Sequence, residues 1–176
     1  MAMGNIKRIL LVYCVMNIIW SSVIYSHDGM VNISGSFKDN ACVLALDDKN
    51  IAVQFDDISA SRFSHIGDSS PAVTFTIHLQ ECGADVTNVN VEFSGTPDAT
   101  NTQLLSIDPG NDSASGLGVA ILDYTQTLIP IKNASVNYPL IPGDVPLVFY
   151  AQLRATADKV DAGSIHASAT FTFHYE

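Results

Sequence analysis

The sequence is short of cations, cysteine and tryptophan. It carries 8 Lys or Arg against 18 Asp or Glu. That balance argues against nucleic acid or an anionic membrane surface as a partner. Tryptophan occurs once, at Trp20, so an exposed aromatic platform of the kind a sugar-binding sandwich needs has little to be built from. The five histidines (His27, His65, His78, His166 and His174) share no ligand spacing, and no metal site is expected. Catalytic motifs are missing too. "SGLG" at Ser115–Gly118 lacks the Gly-x-Ser-x-Gly of a nucleophile elbow. "DPGND" at Asp108–Asp112 lacks the ligand that a calcium loop places at its twelfth position, and it reads as a turn. Asp47–Asp48 and Asp56–Asp57 are sequence neighbours, which extended chain points to opposite faces, so they read as solvated loops. No enzyme, no cofactor and no small-molecule substrate are expected.

A leader is present. Lys7 and Arg8 precede the unbroken apolar run Ile9–Met16, the pattern of a secretory signal peptide. The run is short for a membrane span, although an uncleaved anchor is the competing reading. Tyr13 stands directly before Cys14, where lipoprotein processing needs a small residue. Cleavage is expected after Ser26, giving a signal peptide over residues 1–26. Residues 27–176 then hold all 18 acids and six bases (Lys38, Lys49, Arg62, Lys132, Arg154 and Lys159), a formal charge of −12. They also hold two cysteines, Cys42 and Cys82. In an exported chain an even pair implies a disulfide. With 39 residues between them, closing that loop is worth about 4 kcal/mol on chain-entropy grounds.

Beyond the leader no long segment has a clean helical period. Short alternating runs recur instead: "MVNISGSF", "IAVQF", "AVTFTIHL", "VNVEF", "LGVAIL", "LVFYAQLRA" and "ASATFTF". Between them lie turn signals such as "DDKN", "GDSSP", "SGTPDATN" and "IPGDVP". Many short strands with Gly, Pro, Asp and Asn punctuation predict an all-β sandwich. A short helical turn is expected near residues 59–65.

The two ends are the unusual parts. In the closing "ASATFTFHYE", Ala169, Phe171, Phe173 and Tyr175 alternate with Thr170, Thr172 and His174. The sequence given stops at Glu176, so this apolar strand needs a neighbour supplied from elsewhere. At the other end, "VNISGSF" puts Val31, Ile33, Gly35 and Phe37 on one face just upstream of Cys42. It is either an ordinary first strand or an arm that leaves the domain. A mid-strand glycine costs stability unless something approaches closely there, which points to the arm.

These features resemble the pilin subunits of chaperone–usher fimbriae. The resemblance rests on "VNISGSF" followed by "DNAC", the second cysteine in "LQECG", then "FSGTPD", "SGLGVAILD", "FYAQLRAT" and "AGSIHASATFTFHYE", with Tyr175 penultimate and Gly163 fourteenth from the C-terminus. It extends over essentially the whole of residues 27–176, and is nearest the adaptor subunits of type 1 fimbriae. It implies an incomplete immunoglobulin-like sandwich that lacks its C-terminal strand, spanning residues 39–176, behind an N-terminal donor-strand extension at residues 27–38. It also implies that Gly163, Ala169, Phe171, Phe173 and Tyr175 border an open groove. A periplasmic chaperone would fill the groove first, and a neighbouring subunit's arm afterwards. Val31, Ile33, Gly35 and Phe37 would be the arm this chain donates. The implied partners are the chaperone, an outer-membrane usher and other subunits joined head to tail. The implied route is export through the periplasm to a surface fimbria. A major rod pilin and a self-contained carbohydrate-binding sandwich are the alternatives. A two-domain tip adhesin would need a further domain for which residues 27–176 have no room.

Overall fold

The computed structural model describes residues 41–133 and 135–176. Among the described residues eight strands form in chain order: β1 (Val43–Leu44), β2 (Val73–Cys82), β3 (Asn88–Gly95), β4 (Leu105–Ser106), β5 (Leu117–Leu122), β6 (Tyr138–Pro139), β7 (Gly143–Ala155) and β8 (Ala169–Tyr175). They build two antiparallel sheets. One has the order β1-β2-β7-β5-β4 and the other β6-β3-β8.

Alternation decides which side chains meet between the sheets. Ile77 and Leu79 of β2, Val89, Val91 and Phe93 of β3, and Leu147, Phe149 and Leu153 of β7 are buried and share one core. Phe149 sits at its centre. Its ring stacks on Phe75 at 5.5 Å and meets Phe93 and Tyr138 at 5.1 and 5.2 Å. Tyr138 is buried and its hydroxyl donates to the Val148 carbonyl at 3.0 Å. Burial raises the pKa of that phenol. β5 is buried along its whole length because its outer face is covered as well: Ala120 and Leu122 pack with Leu104, Leu128 and Tyr150.

The turn signal "IPGDVP" does not end at its second proline. β7 starts at Gly143 and runs through Pro146. Proline is tolerated there because β5 pairs with β7 only over residues 150–155, and Pro146 faces His78 on β2 alone. His78 turns its own backbone groups the other way, its N–H to the Asp48 carboxylate and its carbonyl to the Ala45 N–H.

Cys42, just ahead of β1, is disulfide-bonded to Cys82 at the end of β2. The covalent tie reinforces a β1–β2 ladder that is only two residue pairs long. The expected helical turn is a 3-10 turn at Ala60–Arg62, and a second one forms at Leu46–Lys49.

Candidate strand-acceptor groove

β8 forms because Ala169–Tyr175 alternates threonine and histidine with aromatic side chains, and it pairs with β3 from Ala169↔Gly95 to Tyr175↔Val89. Among the described residues β3 is its only strand partner, which leaves its far edge open. Phe171, Phe173 and Tyr175 turn inward and pack on the core, yet all three remain half-buried. They form a row: Phe93 to Phe171 at 6.4 Å, Phe171 to Phe173 at 5.4 Å, Phe173 to Tyr175 at 6.1 Å. The Tyr175 hydroxyl donates to the Cys42 carbonyl at 3.5 Å, linking the end of β8 to the disulfide. Burial raises its pKa as well.

The opposite wall is the segment 51–58. Its sequence, "IAVQFDDI", was expected to be a strand over "IAVQF". Ile51, Val53, Phe55 and Ile58 do turn inward as that pattern requires, and each is half-buried. No ladder forms there among the described residues. The physical reason is that alternation fixes which face is apolar but does not supply a pairing partner. Among the described residues none pairs its backbone with 51–58.

Between these walls lies one cleft with an apolar floor and two compartments. The first, about 480 Å³, lies over Phe75, Phe93, Val119 and Ile121 and reaches Ala169 and Phe171. The second, about 620 Å³, lies over Phe63, Leu117, Leu153 and Val160 and reaches Gly163. Val53, Phe55, Ile165 and His166 border both, so the compartments are continuous. The walls run antiparallel: Ile51 borders the compartment of Phe171, and Ile58 that of Gly163. Backbone that is unpaired among the described residues on both sides of an apolar floor is the geometry of a slot for one extended strand.

Gly163 is fixed by contact with another part of the chain. A Cβ placed there would press on the Ala114 amide nitrogen and lie 2.5 Å from both the Asp112 carbonyl oxygen and the Ser113 carbonyl carbon. The Ser164 N–H donates to Asp112 O at 2.7 Å, and the Ala114 N–H to Ser164 O at 2.9 Å. Gly163 therefore lets the segment leading to β8 lie against 112–114. Gly163 borders one compartment and Ala169 and Phe171 the other, while Phe173 and Tyr175 line neither and continue the row toward the Cys42–Cys82 pair. Val31, Ile33, Gly35 and Phe37 lie outside the described residues, as do residues 1–26. The facing wall at 51–58 was not singled out from sequence as part of the site. Its only signal was the strand-like alternation of "IAVQF". Among the described residues no group of three or more His, Cys, Asp or Glu could hold a metal ion.

Comparison with known proteins agrees with this geometry. A family model described as "Fimbrial protein" matches residues 31–176. The chain belongs to the fimbrial protein family. It is 51% identical over 171 residues to the uncharacterized fimbrial-like protein YcbV of Escherichia coli (strain K12), covering 97% of this chain and 99% of that one. It is 34% identical to the S-fimbrial protein subunit SfaG of a uropathogenic Escherichia coli, covering 84% and 83%. Among solved structures, a subunit in the structure of a chaperone–usher pilus superposes with a TM-score of 0.65 at 20% identity, covering 89% of this chain and 100% of that one. That likeness shows the fold: the incomplete immunoglobulin-like sandwich of pilins. This fimbrial subunit is a structural protein and not an enzyme. Among the described residues no helix is long and apolar enough to cross a membrane.

Proposed function

We propose that this fimbrial subunit is a strand-linked connector, exported through the periplasm and joined head to tail in a surface fimbria. The observation that carries the reading is the groove between 51–58 and β8, apolar at its floor and unpaired along both edges among the described residues. A periplasmic chaperone strand occupies it first, at the outer-membrane usher a neighbouring subunit's arm replaces that strand, and residues 27–38 of this chain enter the next groove along. A contact that runs head to tail and does not close on itself builds a filament.

The energetics support such an exchange. An arm that buries Val31, Ile33 and Phe37 gains roughly 1.5–3 kcal/mol per large apolar side chain. Each backbone hydrogen bond adds about 1 kcal/mol. These sums are large beside a domain stability of roughly 5–15 kcal/mol. Gly35 fits where the floor comes close to the arm. Gly35→Val is then expected to impair fimbria assembly while leaving chaperone binding intact, and normal fimbriae from that variant would remove the role given to Gly35.

Within the fibre we assign the subunit to a tip-proximal adaptor position that supports adhesion, on the likeness of its terminal motifs to adaptor subunits. A rod position would give it many copies per fibre, and an adaptor position few, so quantitative labelling of assembled fibres decides between them. The strand linkage is tested by placing a photo-crosslinking residue at Ile165 in assembled fimbriae. The crosslink is expected to join the N-terminal arm of a neighbouring subunit. Crosslinks confined to this chain's own residues would contradict the proposal.

A further inference from the structure

The wall 51–58 forms no backbone hydrogen bond among the described residues, so other contacts fix its place. The groove lies on one side of it. On the other, a further cavity of about 440 Å³ lies between Phe55 and Ile58 and the chain at Pro71 and Val73. Ile51, Phe55 and Ile58 pack on the core, and the backbone hangs between two attachments. After it, Phe63 is buried and Arg62 donates from Nε to the Ser69 carbonyl at 3.0 Å. Before it, among the described residues, stands one side-chain clamp. The β1–β2 ladder ends at Leu44↔Leu79, and the Ala45 N–H still reaches the His78 carbonyl. The 3-10 turn Leu46–Lys49 then carries the chain off the edge of β2. From within that turn the Asp48 carboxylate reaches back. Its Oδ2 accepts from the His78 backbone N–H and from His78 Nδ1, the latter at 2.9 Å. An ionised carboxylate only accepts, so Nδ1 carries the proton in this contact. The Asp48 side chain is only 13% exposed, which leaves water little room to compete. Lys49, Asn50 and Ile51, the next three residues, border the groove.

We propose that Asp48 is a positioning residue for strand capture: its clamp on His78 holds the start of 51–58 where an incoming strand can pair with it. The inference rests on the strand-acceptor reading and adds the means by which one wall is kept ready. A side chain serves here because the turn has already taken the backbone away from the ladder. A strand that meets a wall already in place gives up less conformational freedom than one that must order the wall on arrival. Without the clamp the wall keeps its apolar contacts and its far attachment, while its first residues move between the groove and the cavity behind. The two sheets do not depend on the clamp, since β2 keeps its ladder with β7.

Three forms of the purified oxidised chain would be compared: wild type, Asp48→Ala and Asp48→Asn. Asparagine keeps an oxygen that can accept the same two bonds. The probe is a synthetic peptide of residues 27–38, acetylated and amidated. Asp48→Ala is expected to bind it about tenfold more weakly, the scale of one lost hydrogen bond to a charged group, and Asp48→Asn to bind within about threefold of wild type. NMR backbone order parameters read the wall without peptide. Those of 51–55 are expected to fall from about 0.85 toward about 0.6 in Asp48→Ala, to recover in Asp48→Asn, and to hold steady in β5 and β7 throughout. Unchanged affinity, or unchanged order at 51–55, in Asp48→Ala would overturn the proposal. Loosening that spreads equally to β5 and β7 would also overturn it, because Asp48 would then stabilise the domain at large. An Asp48→Asn chain as impaired as Asp48→Ala would do the same, since the retained oxygen would hold nothing. Each of these results leaves the groove reading standing. A wild-type chain that binds no peptide would overturn the strand-acceptor reading, and with it the part of Asp48 in capture.

Discussion

Gly163→Ala adds a single methyl group where the segment leading to β8 crosses 112–114. The new Cβ presses on the Ala114 amide nitrogen and stands 2.5 Å from Asp112 O and Ser113 C. All three are backbone atoms, so no side-chain rotation relieves the clash, and the two segments must separate. Separation lengthens or breaks the hydrogen bonds Ser164 N–H to Asp112 O and Ala114 N–H to Ser164 O, now 2.7 and 2.9 Å. Each is worth about 1 kcal/mol net, and the strain of overpacking adds roughly 1–3 kcal/mol. Separation of the two segments trades strain against the hydrogen bonds, so the two losses are each partial and together come to about 2–4 kcal/mol. At roughly 2–4 °C per kcal/mol for a domain near this size, the melting temperature should fall by about 5–15 °C. Differential scanning calorimetry of the oxidised protein reads this directly. A variant that melts within about a degree of wild type would refute the account of Gly163 as a residue required by close approach.

Other expectations follow from the same structure. Cys42→Ser with Cys82→Ser should lower stability by about 4 kcal/mol in urea titration, since 39 residues lie between the two sulfurs' positions. An unchanged midpoint would mean that the two-pair β1–β2 ladder holds without the bridge. Phe173→Ala should cost the empty subunit only about 1 kcal/mol, because the ring is half-buried, and should cost more once a strand covers the ring; equal losses in the two forms would place the ring outside the occupied groove. The Asp68 carboxylate accepts the backbone N–H groups of His65 and Ser64, both at 2.8 Å, which holds its pKa below the ordinary carboxylate value. A depressed native pKa favours folding above the unfolded value, and the benefit is lost as pH falls through the native value. Asp68→Asn should therefore flatten the acid limb of the stability curve below about pH 4, and a limb unchanged from wild type would contradict those bonds.

Much of this architecture is legible in the sequence, and the parts that are not share a cause. β2, β3, β7 and β8 each carry enough residues for a period of two to show, and Phe75, Val91, Phe149 and Phe171 take the faces the pattern assigns; β5 is apolar on both faces and shows as an unbroken run. β1, β4 and β6 are two residues long, too short for any periodicity, and are set by tertiary contacts: β1 by the disulfide, and β6 by the buried Tyr138. The segment "IAVQF" is the instructive case. Its alternation is correct for the inward faces of Ile51, Val53 and Phe55, yet among the described residues no strand partner stands beside it. Sequence reports the apolar face of a segment, while pairing depends on what lies alongside, and here that position is the groove. Gly163 is likewise conspicuous by its place, but its reason, the backbone of 112–114 within contact of it, belongs to the fold alone. Phe171, Phe173 and Tyr175 were legible as a row needing cover, because β8 alternates without interruption.

The central claim is that the groove is open to a strand from outside the domain. The most direct measurement removes residues 27–38 and records the thermal stability of the oxidised remainder, with and without a synthetic arm peptide from a candidate neighbouring subunit. The account predicts a weak domain alone and a large rise in melting temperature with the peptide, saturating at one peptide per chain. A truncated domain that is already stable, and whose melting temperature ignores the arms of all plausible neighbours, would contradict the account and indicate a sandwich that completes itself.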